Sequence, residues 1–216
     1  MEFILEQTYP SPSGGDIVCR MTQSTDGEAR HVKGEILCDL FSELALPTTT
    51  DEPTKIDEET YKRAEYLMKM TDAVKKCVEL LSYSQNTRRA LYQKLVLRGF
   101  ARDVSADAVE YVSAQGLIDE FSMAQSLVYD MASRRLYGRQ RIKSELLSKG
   151  FPIDVCERAI DQCEEDFVEL CRKMIEKLGG VGIFEDRTAR AKAISSLMRH
   201  GFSFDEIKSA IRKKNA

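Results

Sequence analysis

The stretch RRALYQKLVLRGFARD (Arg88–Asp103) reads as the end of one helix and the start of the next. It is written twice more, as RIKSELLSKGFPID (Arg141–Asp154) and KAISSLMRHGFSFD (Lys192–Asp205). Gly99, Gly150 and Gly201, each followed by phenylalanine (Phe100, Phe151, Phe202), fall at one constant interval of 51 residues. Leu95, Leu146 and Leu197 precede them by four residues, and Asp103, Asp154 and Asp205 follow by four. Ala108, Ala159 and Ala210, each followed by Val or Ile, complete the pattern. A match this deep at a single period is an internal repeat.

Physical chemistry accounts for the shared residues. Glycine adopts the left-handed conformation that ends a helix, and the next residue folds an apolar side chain back on the preceding turn. Leucine is the partner expected for each phenylalanine. The aspartate falls in the first turn of the following helix, where the helix dipole favours it. Each copy is therefore a helix, a glycine stop and a helix, and the interval leaves room for one more helix per copy. Asp72–Tyr83 and Glu120–Arg135 supply it before the first two hairpins. From Ile153 to Leu178 the helical pattern runs without a breaker until Gly179-Gly180, so the last boundary is not legible. The expected fold is mainly α, tandem three-helix repeats at about 72–116, 117–167 and 168–216 within a helical region 57–216.

Residues 1–56 differ. FILEQ and DIVCRMTQ flank Gly14-Gly15 as strands of a hairpin, and a third strand is expected near Ala29–Val32. Ile36, Leu37, Leu40, Phe41 and Leu44 have helical spacing, and ALPTTTDEPTK reads as a linker. The expectation is a small α+β unit followed by that linker.

The chain has 216 residues, 43% of them hydrophobic and 31% charged, which is the balance of a folded protein. No apolar run is long enough for a membrane span, and MEFILEQ lacks a basic leader, so a cytoplasmic protein is expected. Six cysteines include no CxxC pair, and only two histidines are present. Buried, reduced thiols are expected, with Cys156 and Cys163 on one helix face, and no metal or other cofactor. GGVG (Gly179–Gly182) follows a helix and lacks the lysine of a phosphate loop, so it reads as another helix stop. No nucleophile–base pair stands out, and no enzyme is expected.

The net charge of −3 is unevenly spread. Residues 1–71 carry 7 Lys+Arg against 14 Asp+Glu, whereas the rest is net basic. The helix before each glycine is rich in cations. Arg98 and Lys149, near helix C-termini, complement the dipole, and acidic second helices (Asp154, Glu157, Asp161, Glu164, Glu165) are expected to neutralise such bases across the hairpin. Arg88, Arg139 and Arg190 keep the same interval but lie at helix starts, where a cation is disfavoured. A repeated feature that opposes local stability points to a partner; a solvated face is the other reading. Arg89, Arg135 and Arg141, in the same basic stretches, join them as candidates. The partner is an acidic protein surface or a nucleic-acid backbone. The absence of Trp and a pI near 5.6 argue against a dedicated DNA binder.

Three motifs taken in order resemble the RecX family of bacterial RecA regulators. They are LSYSQNTRRALYQKLVLRGF (Leu81–Phe100), GLIDEFSMAQSLVYDMASRRLYGRQRIKSELLSKGF (Gly116–Phe151) and LMRHGFSFDEIKSAI (Leu197–Ile211). Ser84 and Ala90 depart from the Arg and Glu common in the family's opening motif, and DEFSMA from its Asp-Asp…Phe-Ala pattern. The resemblance implies an elongated, curved helical array that binds the RecA–single-stranded-DNA filament and limits filament growth, strand exchange and ATP hydrolysis. It implies no cofactor and no catalytic group. A monomer is expected, because repeat arrays bury their cores internally, with weak non-specific DNA contact at most. A helical protein that binds DNA backbone directly, and a scaffold for an unrelated protein, are the alternatives.

Overall fold

A computed structural model describes residues 1–25 and 27–212. The chain folds as two compact units. One comprises Met1–Asn86 with Leu91–Leu117; the other comprises Thr87–Ala90 with the residues from Ile118 onward.

The first unit begins with three antiparallel strands, β1 (Glu2–Pro10), β2 (Asp16–Thr25) and β3 (Glu28–Leu37). The Gly14-Gly15 pair turns the chain from β1 to β2, as its composition predicts. β3 is longer than expected because it pairs with β2 along its whole length, from Thr25↔Glu28 to Asp16↔Leu37. Ile36 and Leu37 therefore end a strand rather than begin a helix. The helical period resumes only in α1 (Cys38–Phe41) and a 3-10 turn, Ser42–Leu44.

The stretch read as a linker is tied to the sheet. Thr8 and Thr50 exchange both backbone hydrogen bonds at 3.0 Å, and the Thr8 hydroxyl donates to the Pro47 carbonyl at 2.6 Å. β4 (Thr54–Ile56) then pairs with β1 from Phe3↔Ile56 to Leu5↔Thr54, giving the sheet order β3-β2-β1-β4. Three residues between polar flanks carry too little apolar pattern to announce a strand.

Asp57 starts α2 (Glu58–Tyr83), its carboxylate accepting from the Thr60 N–H at 2.7 Å. The helix is longer than Asp72–Tyr83 because its buried stripe begins at Tyr61, whose ring packs 4.9 Å from that of Phe3. Tyr61, Ala64, Leu67, Thr71 and Val74 recur at three and four residues, the period of a helix with one face in the core. α3 (Arg88–Leu97) and α4 (Arg102–Ala114) follow, and α2 packs on α4.

The second unit repeats this arrangement. α5 (Glu120–Tyr129) runs on through a π-helical turn, Asp130–Arg134, and packs on α7 (Ile153–Asp161), with α6 (Arg139–Ser148) between them in sequence. α8 (Phe167–Lys177) packs on α10 (Phe204–Arg212), with α9 (Arg187–Arg199) between. In each triplet the first helix packs on the third. The unbroken pattern from Ile153 to Leu178 is in fact two helices. Asp166 interrupts it, its carboxylate capping the N–H groups of Val168 at 2.9 Å and Glu169 at 3.3 Å. The third repeat is expected to run to Ala216; its last four positions lie outside the described residues.

The three glycine stops have one geometry. Gly99, Gly150 and Gly201 have φ of 91°, 89° and 92°. The following phenylalanine N–H donates to the Leu95, Leu146 or Leu197 carbonyl at 3.3, 3.2 and 3.2 Å. Each glycine N–H donates to the next carbonyl along, at 3.0, 3.0 and 2.9 Å. This double closure is a Schellman motif, and it fixes why leucine sits at that position. The leucine supplies both the carbonyl for the longer bond and a side chain that is fully buried in all three copies. Gly179-Gly180 ends α8 in the same way, the Gly180 N–H donating to the Ile175 carbonyl at 3.0 Å.

Cys19, Cys77, Cys156 and Cys171 are buried, but Cys38 is exposed. Cys163 is not on the face that carries Cys156, because α7 ends at Asp161. Burial pushes the Cys19 and Cys171 thiols up to about 12 and the Cys77 thiol to about 11, so these sulfurs stay protonated and inert.

Candidate functional site

The basic residues gather where one repeat meets the next. Thr87, just before α3, donates its hydroxyl to the Lys149 carbonyl at 3.2 Å, in the stop of α6. Gly138 stands 51 residues further on. Its N–H donates to the His200 carbonyl at 2.7 Å, in the stop of α9, and the Gln140 N–H donates to the Gly201 carbonyl at 3.2 Å. Two helix starts thus seat on two helix stops: a hydroxyl meets an orphan carbonyl at the first, and N–H groups without intrahelical partners meet such carbonyls at the second. The second joint is tight: a side chain on Gly138 would fall 2.5 Å from the Phe202 nitrogen.

This seating orders the cations. Arg88 opens α3, where its own N–H donates to Glu120 Oε1 at 2.9 Å and its Nε lies 4.0 Å from Glu120 Oε2. Arg139 opens α6, with its guanidinium 4.3 Å above the Phe167 ring. Its Nε lies 3.6 Å from Glu206 Oε1 and its Nη1 3.8 Å from Asp161 Oδ1. The cost of a cation at a helix start is thus offset by carboxylates, while both side chains remain about half exposed. Arg190 occupies the same repeat position in α9, one turn in, because Asp186 starts that helix three residues earlier. It is exposed, and no ion pair involves it among the described residues.

Arg141 stacks 4.0 Å over Tyr137 and reaches the Arg199 carbonyl at 3.4 Å, beside Arg139 at the joint. The Arg89 stem runs along Gly150, where an added Cβ would lie 3.1 Å from Arg89 Cβ. Arg135 stands apart, at the π-helical turn, sharing Asp130 with Arg134 at 3.3 Å each. Arg98 Nη1 donates to the Lys94 carbonyl at 3.0 Å, the helix-end role its position suggested.

The acidic second helix supplies Asp161 to Arg139, in line with the sequence reading, but sequence reasoning missed Glu120 and Glu206. One had a legible signal: Ser203-Phe-Asp-Glu206 is a capping box. The Ser203 N–H donates to Glu206 Oε2 at 2.7 Å, and the Glu206 N–H donates to Ser203 Oγ at 3.2 Å. Glu120 had none, since its pairing depends on how helices pack. Chemically, the arrangement offers anion-binding guanidinium groups on rigid helix starts. Among the described residues there is no cluster of three or more His, Cys, Asp or Glu that could hold a metal, and no helix long and apolar enough to cross a membrane.

Such a chain is a tandem helical-repeat protein that presents a cation at one fixed position of every repeat. A family model for the third three-helix domain of RecX matches residues 164–211, the span of α8, α9 and α10. Regulatory protein RecX of Halorhodospira halophila is 30% identical over 133 residues, covering 62% of this chain and 82% of that protein. The Vibrio cholerae regulatory protein RecX is 30% identical over 135 residues, 62% and 88% of the two chains. A crystal structure of regulatory protein RecX matches the fold over 99% of this chain and 100% of that chain, with TM-score 0.71 at 20% identity. That of RecX from Lactobacillus salivarius covers 68% and 97%, with TM-score 0.60 at 26% identity. The chain belongs to the RecX family of regulatory proteins.

Proposed function

We propose that this protein is a mainly negative regulator of the RecA recombinase. It binds the RecA–single-stranded-DNA filament through the starts of its repeated basic helices and limits filament extension, strand exchange and ATP hydrolysis. The observation that carries the reading is the repetition of Arg88, Arg139 and Arg190 at one register position, the first two side chains about half exposed and Arg190 exposed. A helical polymer presents one surface again on every subunit, and a repeat protein presents one side chain again on every repeat. Family membership supports a regulatory role. The protein acts in the cytoplasm, as a monomer, without a cofactor and without chemistry of its own. Its contact with naked DNA is weak and salt-dependent.

The test is binding to RecA filaments on labelled single-stranded DNA, for the wild type and for Arg88→Ala, Arg139→Ala and Arg190→Ala singly and together. Three exposed charge pairs at about 0.5–1 kcal/mol each give a loss of roughly tenfold to a hundredfold for the triple variant. Arg190→Ala should cost most per residue, since Arg88 and Arg139 must first leave their own carboxylates. Unchanged filament binding by a triple variant of normal helix content would sink the proposal. Equal binding to naked DNA and to filament would replace it with direct DNA recognition.

A further inference from the structure

The groove between the second and third helices of a repeat occurs in two chemical versions. In the second repeat it is a cavity of about 330 Å³ between α6 and α7. Arg139 and Lys143 line it from one side, Glu157 and Asp161 from the other. Ion pairs close it, Lys143 Nζ to Glu157 Oε1 at 2.7 Å and Arg139 Nη1 to Asp161 Oδ1 at 3.8 Å. Cations and carboxylates balance.

The third repeat has the same groove between α9 and α10, again about 330 Å³, with Arg190 where Arg139 stood. The residues that face it across the hairpin have changed sign. At the 51-residue offset, Glu157 becomes Lys208 and Asp161 becomes Arg212, while Lys143 becomes Ile194. Position 161 is also acidic in the first repeat, as Glu110, so the third repeat is the exception. The rim now carries three cations and no acid, over a floor of half-buried Ile194 and Ile211 above buried Ile207, with Phe204 at the mouth, 57% exposed. Among the described residues no ion pair involves Arg190, Lys208 or Arg212. Glu206, the nearest candidate on α10, is engaged with Ser203 and Arg139.

Like charges gathered around partly exposed apolar side chains cost stability unless a partner covers them. We infer that the α9–α10 groove is a docking site for an acidic, amphipathic segment of a partner protein, its apolar side chains on the isoleucine floor and its carboxylates on the three cations. Charge complementarity sets the sign of the partner. The floor sets its class, because aliphatic side chains bury well against isoleucine, whereas a phosphodiester strand offers nothing to a floor of this kind. The inference holds whichever protein supplies the segment and does not depend on the recombinase reading.

The test transplants the second repeat's chemistry into the third: Ile194→Lys, Lys208→Glu and Arg212→Asp together. The second repeat folds with those residues, and circular dichroism with thermal unfolding verifies that the variant does too. The probe is a fluorescein-labelled helical peptide of about twelve residues, with leucines on one face and glutamates on the other. Its glutamine-for-glutamate and serine-for-leucine versions serve as controls, with oligothymidylate as competitor. The wild type should bind the acidic peptide in preference to both controls, more weakly as salt rises, and the transplant should lose about tenfold or more. Equal binding of acidic and control peptides, or equal binding by wild type and transplant, overturns the inference. Displacement by oligothymidylate, with oligothymidylate affinity falling in the transplant, overturns it in favour of a nucleic-acid groove. Filament binding by the same variant, which keeps Arg88, Arg139 and Arg190, is read separately, so failure here and failure of the proposed function are distinguishable.

Discussion

Replacing each of the three stop glycines with alanine should produce graded, not equal, destabilisation. All three share one backbone conformation, with φ between 89° and 92°. An L-residue in that region costs about 1–2 kcal/mol, and Gly99→Ala should cost only this, since an added Cβ there meets nothing within 4 Å. At Gly150 the Cβ would lie 3.1 Å from Arg89 Cβ and Cδ and 3.2 Å from Thr87 Oγ1, contacts that a shift of a few tenths of an ångström relieves, so the cost should be only slightly higher. At Gly201 it would lie 2.5 Å from Arg141 Cβ and 2.9 Å from the Gly138 carbonyl oxygen, and it would overlap the Arg141 backbone nitrogen. Backbone cannot swing aside. Relief requires opening the joint, which strains the packing by about 1–3 kcal/mol and loses two hydrogen bonds of about 1 kcal/mol each. Gly201→Ala should therefore cost about 4–7 kcal/mol in all. Urea unfolding followed by far-ultraviolet circular dichroism measures this, with thermal scans to separate the units. Gly99 belongs to the first unit and the other two to the second, so different transitions should shift. Three equal costs, or the largest at Gly99, would refute the reasoning that repeat seating and not glycine conformation alone sets the penalty.

Other outcomes follow from burial, capping and charge. Leu146→Ala removes a fully buried side chain and should cost about 2–5 kcal/mol by urea unfolding. Leu97→Ala, at a position 85% exposed, should stay within about 0.5 kcal/mol. Asp166→Ala removes the cap that separates α7 from α8 and should cost about 1 kcal/mol; an unchanged midpoint would count against that role. Partial desolvation raises the carboxyl of the otherwise exposed Asp72 above its usual value of 3.8, with Lys75 opposing and Glu35 adding, so the effect on stability is small. An acid so raised holds its proton more readily folded than unfolded, so stability falls as pH climbs from the unfolded value through the folded one. Asp72→Asn should thus raise the first unit's midpoint around pH 7 and leave it unchanged near pH 3. No gain at the higher pH would contradict the assignment.

The repeat architecture was legible because its punctuation is local. A glycine stop needs one glycine, one leucine four residues before and one apolar residue after, all within a single turn of chain. The same holds for the aspartates that open α4, α7 and α10. What escaped was set by distant partners. β4 exists because Phe3 and Leu5 offer a sheet edge, and nothing in Thr54–Ile56 itself says so. The break at Asp166 was hidden by acidic residues that suit a helix surface as well as a helix start. The arginines at helix starts were visible as an anomaly. Of their carboxylate partners, Asp161 was visible as part of an acidic second helix, whereas Glu120 reaches Arg88 only through packing. The reversal of charge at Lys208 and Arg212 lay open in the sequence all along, but it takes meaning only once Lys143–Glu157 and Arg139–Asp161 are seen to close the equivalent groove.

The central claim is that this chain restrains a recombinase filament, and its most direct test is the rate of single-strand-dependent ATP hydrolysis by RecA of the same organism. The rate is followed as the protein is added at fixed, moderate salt. A fall at ratios well below one protein per RecA is the predicted result, because stopping extension acts on many subunits at once. An unchanged rate at stoichiometric excess, with the protein verified as folded, would contradict the claim.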